Sequence, residues 1–164
     1  MLDSQTADVL RQAVGAAQSG DIARARALAE GALESGGDTA ALNAFLGMLL
    51  ARSNDLDSAA RHLKAAHDTR PADTTISCNL IAVLIDKGDL AGALDVATPD
   101  LARADATLRI ARYRGFVAQS LERFDEAIEA YESVVARDET DFESWNNLGN
   151  ARSAVGDLDG SVAA

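Results

Sequence analysis

Apolar residues along the chain recur at spacings of three and four, in short segments separated by polar turns. This is the period of an amphipathic helix, not the alternation of a half-buried strand. The pattern predicts helices over residues 6–18, 22–35, 39–52, 56–69, 73–86, 90–103, 107–120, 124–137 and 141–154, with a further start at 158. Pro99 falls inside the sixth segment. It lacks an N–H and blocks a continuous helix, so a split is expected there, with Thr98 capping and Pro99 in the first turn of the second part.

The pattern also repeats. Ala25, Ala59, Ala93 and Ala127 are 34 residues apart, and Ser161 continues the series. The apolar residue three positions earlier keeps the same step: Ile22, Leu56, Leu90, Phe124 and Leu158. So does the turn before it, at Gly20, Asn54, Gly88, Glu122 and Gly156. Gly and Asn tolerate the left-handed backbone that ends many helices. Asp21, Asp55, Asp89 and Asp157 follow these turns, with Arg123 in the fourth, and aspartate there is a good cap for the next helix.

Helix–turn–helix units with this period resemble the tetratricopeptide repeat (TPR) family. The family's small packing position holds Gly47, Gly115 and Gly149, with Ala13 and Ile81 as variants. The large residue before it is Leu46, Leu80 or Leu148, while Gln12 and Arg114 depart from the pattern. Trp145, Tyr131 and Pro71 match other positions of the motif, each once. The resemblance implies an all-α fold, a right-handed α-solenoid of antiparallel helix pairs. The expected units are about 6–39, 40–73, 74–107, 108–141 and an incomplete 142–164, forming a single TPR domain. A helix pair cannot bury its apolar face alone, so neighbouring units must stack. An open face carrying Trp145, Leu148 and Leu158 at the last unit leads to the expectation of a fragment of a longer chain, or of self-association through that carboxy-terminal face.

Composition narrows the function. Apolar residues make up 48% and aromatics 4%, which suits close-packed helices. The net charge of −11 argues against a nucleic-acid partner, which needs a broad basic surface. The one cysteine, Cys78, excludes an internal disulfide and fits a reducing compartment. No stretch is long and apolar enough for a membrane span and no signal peptide is recognisable, so a cytoplasmic protein is expected. Arginine-heavy, lysine-poor usage points to a bacterial source.

Candidate chemistry is sparse. There is no phosphate loop, and the "GDLDGS" turn lacks a calcium loop's length and closing glutamate. His62 and His67 stand five apart on one segment, not the four that a metal pair prefers, and read as solvated. Glu122, Glu126, Glu129 and Glu132 read as a solvated helix face. The expectation is no enzyme, no cofactor and no metal.

One charge pattern stands out. From Arg103 to Arg123 there are five arginines and two acids, a local +3 that leaves the remainder at −14. Arg109, Arg112 and Phe116 share one helix face, with Tyr113 beside them. The TPR resemblance makes that face groove lining. Transferred unit by unit, the lining is Leu10, Arg11 and Val14; Ala44, Phe45, Met48 and Arg52; Thr75, Cys78, Asn79, Ala82 and Ile85; Arg109, Arg112, Tyr113, Phe116 and Gln119; then Glu143, Asn146, Asn147 and Asn150. The partner-binding residues expected from it are Phe45, Met48, Asn79, Arg109, Arg112, Tyr113, Phe116, Asn146 and Asn150. Arginine holds carboxylates bidentately and asparagine donates to peptide backbone, so a peptide or helix with an apolar segment and an acidic end would suit them. The competing reading pairs Arg109 and Arg112 with neighbouring acids, and places Tyr113 and Phe116 in the core. Arg114 sits at a packing position, where it should lay its stem across a helix interface and find an internal carboxylate. The carboxylate clamp of chaperone-binding TPR proteins is not matched: Asn79 and Arg109 fit, but Ala44, Met48 and Tyr113 do not. The leading expectation is a protein–protein interaction scaffold. The alternative is the amino-terminal accessory region of a larger bacterial enzyme, sulfotransferase-like or glycosyltransferase, or a self-assembling module.

Overall fold

The computed structural model describes residues 4–156. Asp157, Leu158, Ser161 and the helix expected from 158 lie outside them. Among the described residues the chain is all-helical, with ten helices: α1 (Ser4–Gln18), α2 (Ile22–Glu34), α3 (Thr39–Arg52), α4 (Leu56–Thr69), α5 (Thr74–Lys87), α6 (Leu90–Val96), α7 (Pro99–Ala104), α8 (Arg109–Ser120), α9 (Phe124–Val135) and α10 (Phe142–Ala154). The chain divides into two compact units, Met1–Val83 and Leu84–Ala164.

In the first unit α1 packs on α2, α2 on α3 and α3 on α4. Small residues sit at the contacts. Ala16 and Ala25 meet Leu49; Ala29 meets Leu42 and Leu46; Ala40 and Ala66 meet Ile76 of α5. At Gly47 an added Cβ would lie 2.5 Å from Leu63 Cγ, so α3 and α4 approach as closely as they do only because that side chain is missing.

In the second unit α6 and α7 pack on α8, α8 on α9 and α9 on α10. The α8–α9 crossing repeats the glycine device: a Cβ on Gly115 would stand 2.6 Å from Tyr131 Cε1. Tyr131 is buried.

All five turn positions of the 34-residue register have positive φ: Gly20 at 86°, Asn54 at 61°, Gly88 at 81°, Glu122 at 59° and Gly156 at 83°. Glu122 therefore adopts a conformation that costs an L-residue with a Cβ roughly 1–2 kcal/mol. Asp21, Asp55 and Asp89 accept from the backbone N–H three residues on, as the sequence predicts. Arg123 caps nothing with its side chain.

Pro99 splits the sixth predicted helix into α6 and α7, with Thr98 as the cap. Such a break strands backbone carbonyls. Two arginines collect them. Arg114 Nη1 donates to Ala97 O at 3.0 Å, where α6 stops. Arg137 Nη2 donates to Asp105 O at 3.0 Å and its Nη1 to Ala102 O at 3.4 Å, where α7 stops. After α7 the chain turns through Leu108, at φ 61° and buried. Buried Asp105 holds that turn: its carboxylate accepts from Ile110 N–H at 3.0 Å, Thr107 N–H at 2.9 Å and the Thr107 hydroxyl at 2.7 Å. Burial alone would raise its pKa, but these donors draw it below the usual carboxylate range.

Candidate functional site

The second unit carries a cleft of about 380 Å³ between the faces of α8 and α10. Ile85, Arg109, Arg112, Tyr113, Phe116, Tyr131, Glu143, Ser144 and Asn147 line it. Four of these are the arginines and aromatics of the basic stretch. They meet because positions 109, 112, 113 and 116 fall on one face of α8.

The two arginines do different things. Arg112 is half-buried, and its Nε donates to Asp141 Oδ2 at 2.5 Å. Its Nη1 reaches Thr107 O at 3.3 Å, and Asp138 lies 3.8 Å from its Nη2. Asp141 is the N-cap of α10, with Oδ1 accepting from Ser144 N–H at 3.0 Å. One carboxylate thus starts α10 and anchors it to α8. Its burial works against ionisation, yet the Ser144 N–H and the Arg112 guanidinium hold its pKa below normal. The first unit uses the same device: Asp38 caps α3 through Ala41 N–H and pairs with Arg70.

Arg109 is exposed. Its guanidinium carbon lies 5.9 Å from the centre of the Tyr113 ring and Nη2 is 3.4 Å from the Tyr113 hydroxyl. Phe116 is 49% exposed at the cleft and Tyr113 is half-buried, so neither is a closed core residue. Across from them Glu143 stands in the first turn of α10. Its charge adds to the effect of burial on Tyr131, whose hydroxyl is pushed up to about 12.

The other predicted residues are distributed differently. Asn147 lines the cleft, whereas Asn146 and Asn150 are exposed on α10 outside that lining. Phe45 of α3 is half-buried and packs on the alanine–leucine clusters of the first unit. Met48 is 39% exposed, and Asn79 is half-buried on α5. Tyr131 and Ser144 were not foreseen as lining residues. Tyr131 lies on the second helix of its pair, and Ser144 reads in sequence only as part of a helix start.

Arg114 behaves as its packing position requires. It is buried, and Nη2 bonds Glu126 Oε2 at 2.8 Å. The histidines differ from the solvated pair expected. His62 Nδ1 lies 2.7 Å from Asn43 Oδ1, and His67 Nδ1 lies 3.0 Å from Ser77 Oγ. Asn43 Nδ2 donates to Thr39 O, which turns its acceptor oxygen to His62 and makes Nδ1 the protonated nitrogen there. Burial lowers the pKa of both rings. Among the described residues no group of three or more metal-ligating side chains occurs, and no helix is long and apolar enough to cross a membrane.

A family model described as tetratricopeptide repeat matches residues 10–74 and 114–164. No curated protein matches the chain. Similar solved structures include MamA at TM-score 0.82, 18% identical, covering 96% of this chain and 86% of that one. The MamA RS-1 ArsTM double mutant also gives 0.82, at 18% identity over 99% and 92% of the two chains. MamA AMB-1 in form P212121 gives 0.80, at 15% identity over 97% and 87%. At such identities the likeness is one of fold. The family match covers more than half of the residues, and the helix pairs carry its register: the chain belongs to the tetratricopeptide repeat family.

Proposed function

We propose that the protein is an interaction scaffold without catalytic activity of its own, and that the cleft between α8 and α10 binds a segment of a partner protein. Membership of a family of protein-interaction repeats supports the general reading. The observation that carries the specific one is Phe116, half exposed on the wall of a cleft that also holds Ile85, Tyr113 and Tyr131. An apolar anchor with polar groups around it is the usual composition of a binding site. The segment suited to it has an apolar side chain to set against Phe116 and an acidic end. Panning a random peptide library against the chain tests this: enriched peptides should bind at least about tenfold more weakly to Phe116→Ser, an anchor loss of ordinary size. Equal binding to the variant sinks the proposal.

A second reading has its own observation. Phe142, at the start of α10, is 79% exposed, which favours association with another copy through that helix. Light scattering that reports a monomer at high concentration removes it.

A further inference from the structure

We infer that the Tyr131 hydroxyl is a hydrogen-bond donor to the cleft's occupant, and that the group it takes is an uncharged amide carbonyl of the partner segment. The inference rests on the cleft being a binding site. It concerns a residue that the repeat pattern marks only as a packing aromatic.

Tyr131 belongs to α9, and its ring is clamped against α8. A Cβ on Gly115 would stand 2.6 Å from its Cε1 and 2.8 Å from its Cδ1 and Cζ. Only 2% of the residue is exposed, yet it lines the cleft. A phenol buried this deeply usually bonds a protein group. Here the hydroxyl makes no hydrogen bond among the described residues, and its oxygen is not sealed off inside the fold. The ring therefore packs α9 on α8, while the hydroxyl opens on the cleft. For the packing alone, phenylalanine would fill the same space.

Solvent satisfies such a hydroxyl while the cleft is open. An occupant that fills the cleft excludes the solvent, and a donor left unmatched then weakens the complex. A fitting segment must set an acceptor there. The walls decide its charge. The hydroxyl stays protonated, because burial and the charge of Glu143 push its pKa up to about 12, so it acts as a donor. The same Glu143 lines the cleft and repels a carboxylate at this point. Arg112 does little to offset that repulsion, since Asp141 already pairs with it. Arg109 lies six residues before Gly115, about 9 Å along α8 from the place where the Tyr131 ring rests. The acceptor that remains is an amide carbonyl, which a protein segment carries in its backbone and in Asn and Gln side chains.

The test uses peptides that are enriched on the full chain and weakened by Phe116→Ser. Each is measured by calorimetry against the wild type and Tyr131→Phe, beside the melting temperature of both proteins. Tyr131→Phe removes one oxygen and leaves the ring. It should bind about three- to tenfold more weakly, the size of one uncharged hydrogen bond, with the melting temperature unchanged or raised. Peptides with single backbone amide-to-ester replacements, or with Asn or Gln changed to Ala, then locate the acceptor. One such change should weaken binding to the wild type and have no effect on Tyr131→Phe; which one it is separates a backbone carbonyl from a side-chain one. Equal affinity for the two proteins overturns the inference and leaves the cleft as a binding site. So does a lower melting temperature in Tyr131→Phe, which assigns the hydroxyl to the fold. So does coupling to an Asp or Glu of the peptide in place of an amide carbonyl. Failure to enrich any peptide sensitive to Phe116→Ser overturns both the inference and the binding site.

Discussion

Replacing Arg114 by leucine restores the large apolar residue that TPR motifs carry at this position. Substitutions toward a family pattern commonly stabilise. Here the opposite is expected. Arg114 is 9% exposed and bonds two groups that leucine cannot reach, Ala97 O and Glu126 Oε2. Ala97 O belongs to the break made by Pro99, and a buried carbonyl left without a donor costs about 1–3 kcal/mol. Glu126 loses less. Its side chain is 27% exposed and Arg123 also pairs with it, so its share is about 0–1 kcal/mol. Leucine regains little, because the arginine stem already covers the apolar surface. The net loss is about 1–3 kcal/mol, a fall in melting temperature of roughly 2–12 °C for a chain of this size. Far-ultraviolet circular dichroism with heat and urea measures it. The variant Arg114→Leu/Glu126→Leu should recover only the carboxylate share, since Ala97 O stays unpaired. A single variant as stable as the wild type would show that the break is not held by Arg114, and the account of how the chain tolerates Pro99 would fall.

Other outcomes follow from single positions. Gly115→Ala should destabilise by about 1–2 kcal/mol, because its Cβ meets the buried Tyr131 ring, whereas Gly31→Ala, with nothing within 4 Å, should stabilise by about 0.5–1; a thermal melt of each compares them. Glu122→Gly should stabilise by about 0.5 kcal/mol, the relief of left-handed strain less the entropy of glycine, read from urea midpoints. The pH profile of stability should fall in two stages. His62 and His67 have folded pKa values below 6.5, so their contribution is complete above 6.5 and is lost as pH drops from there toward the folded values. Asp105 and Asp141 also have depressed values, so theirs is complete above 3.8 and is lost as pH falls through the lower folded values. His67→Gln should shrink the upper stage and Asp141→Asn the lower; a profile unchanged by both contradicts the assignment.

The repeat made most of the fold readable. A step of 34 residues placed the five turns from Gly20 to Gly156, including Glu122, whose side chain gives no hint of a left-handed conformation. Pro99 announced its own break, because a missing N–H acts locally. What sequence did not show is how the broken segment is satisfied. Arg137 reaches Ala102 O and Asp105 O across more than thirty residues, and no spacing rule links them. The cleft was legible as a helix face, but the tie from Arg112 to Asp141 was not, because Asp141 reads in sequence as an ordinary turn acid. The histidines were misjudged for the same reason: Asn43 and Ser77, which bond them, lie on other helices.

The most direct test of the central claim is the nuclear magnetic resonance spectrum of the isotope-labelled chain titrated with a peptide enriched on it. The account predicts that the perturbed amides cluster on α8 and the first two turns of α10, with the largest changes around Arg109, Tyr113, Phe116, Glu143 and Asn147. Saturable binding whose perturbations leave those residues unmoved would contradict it.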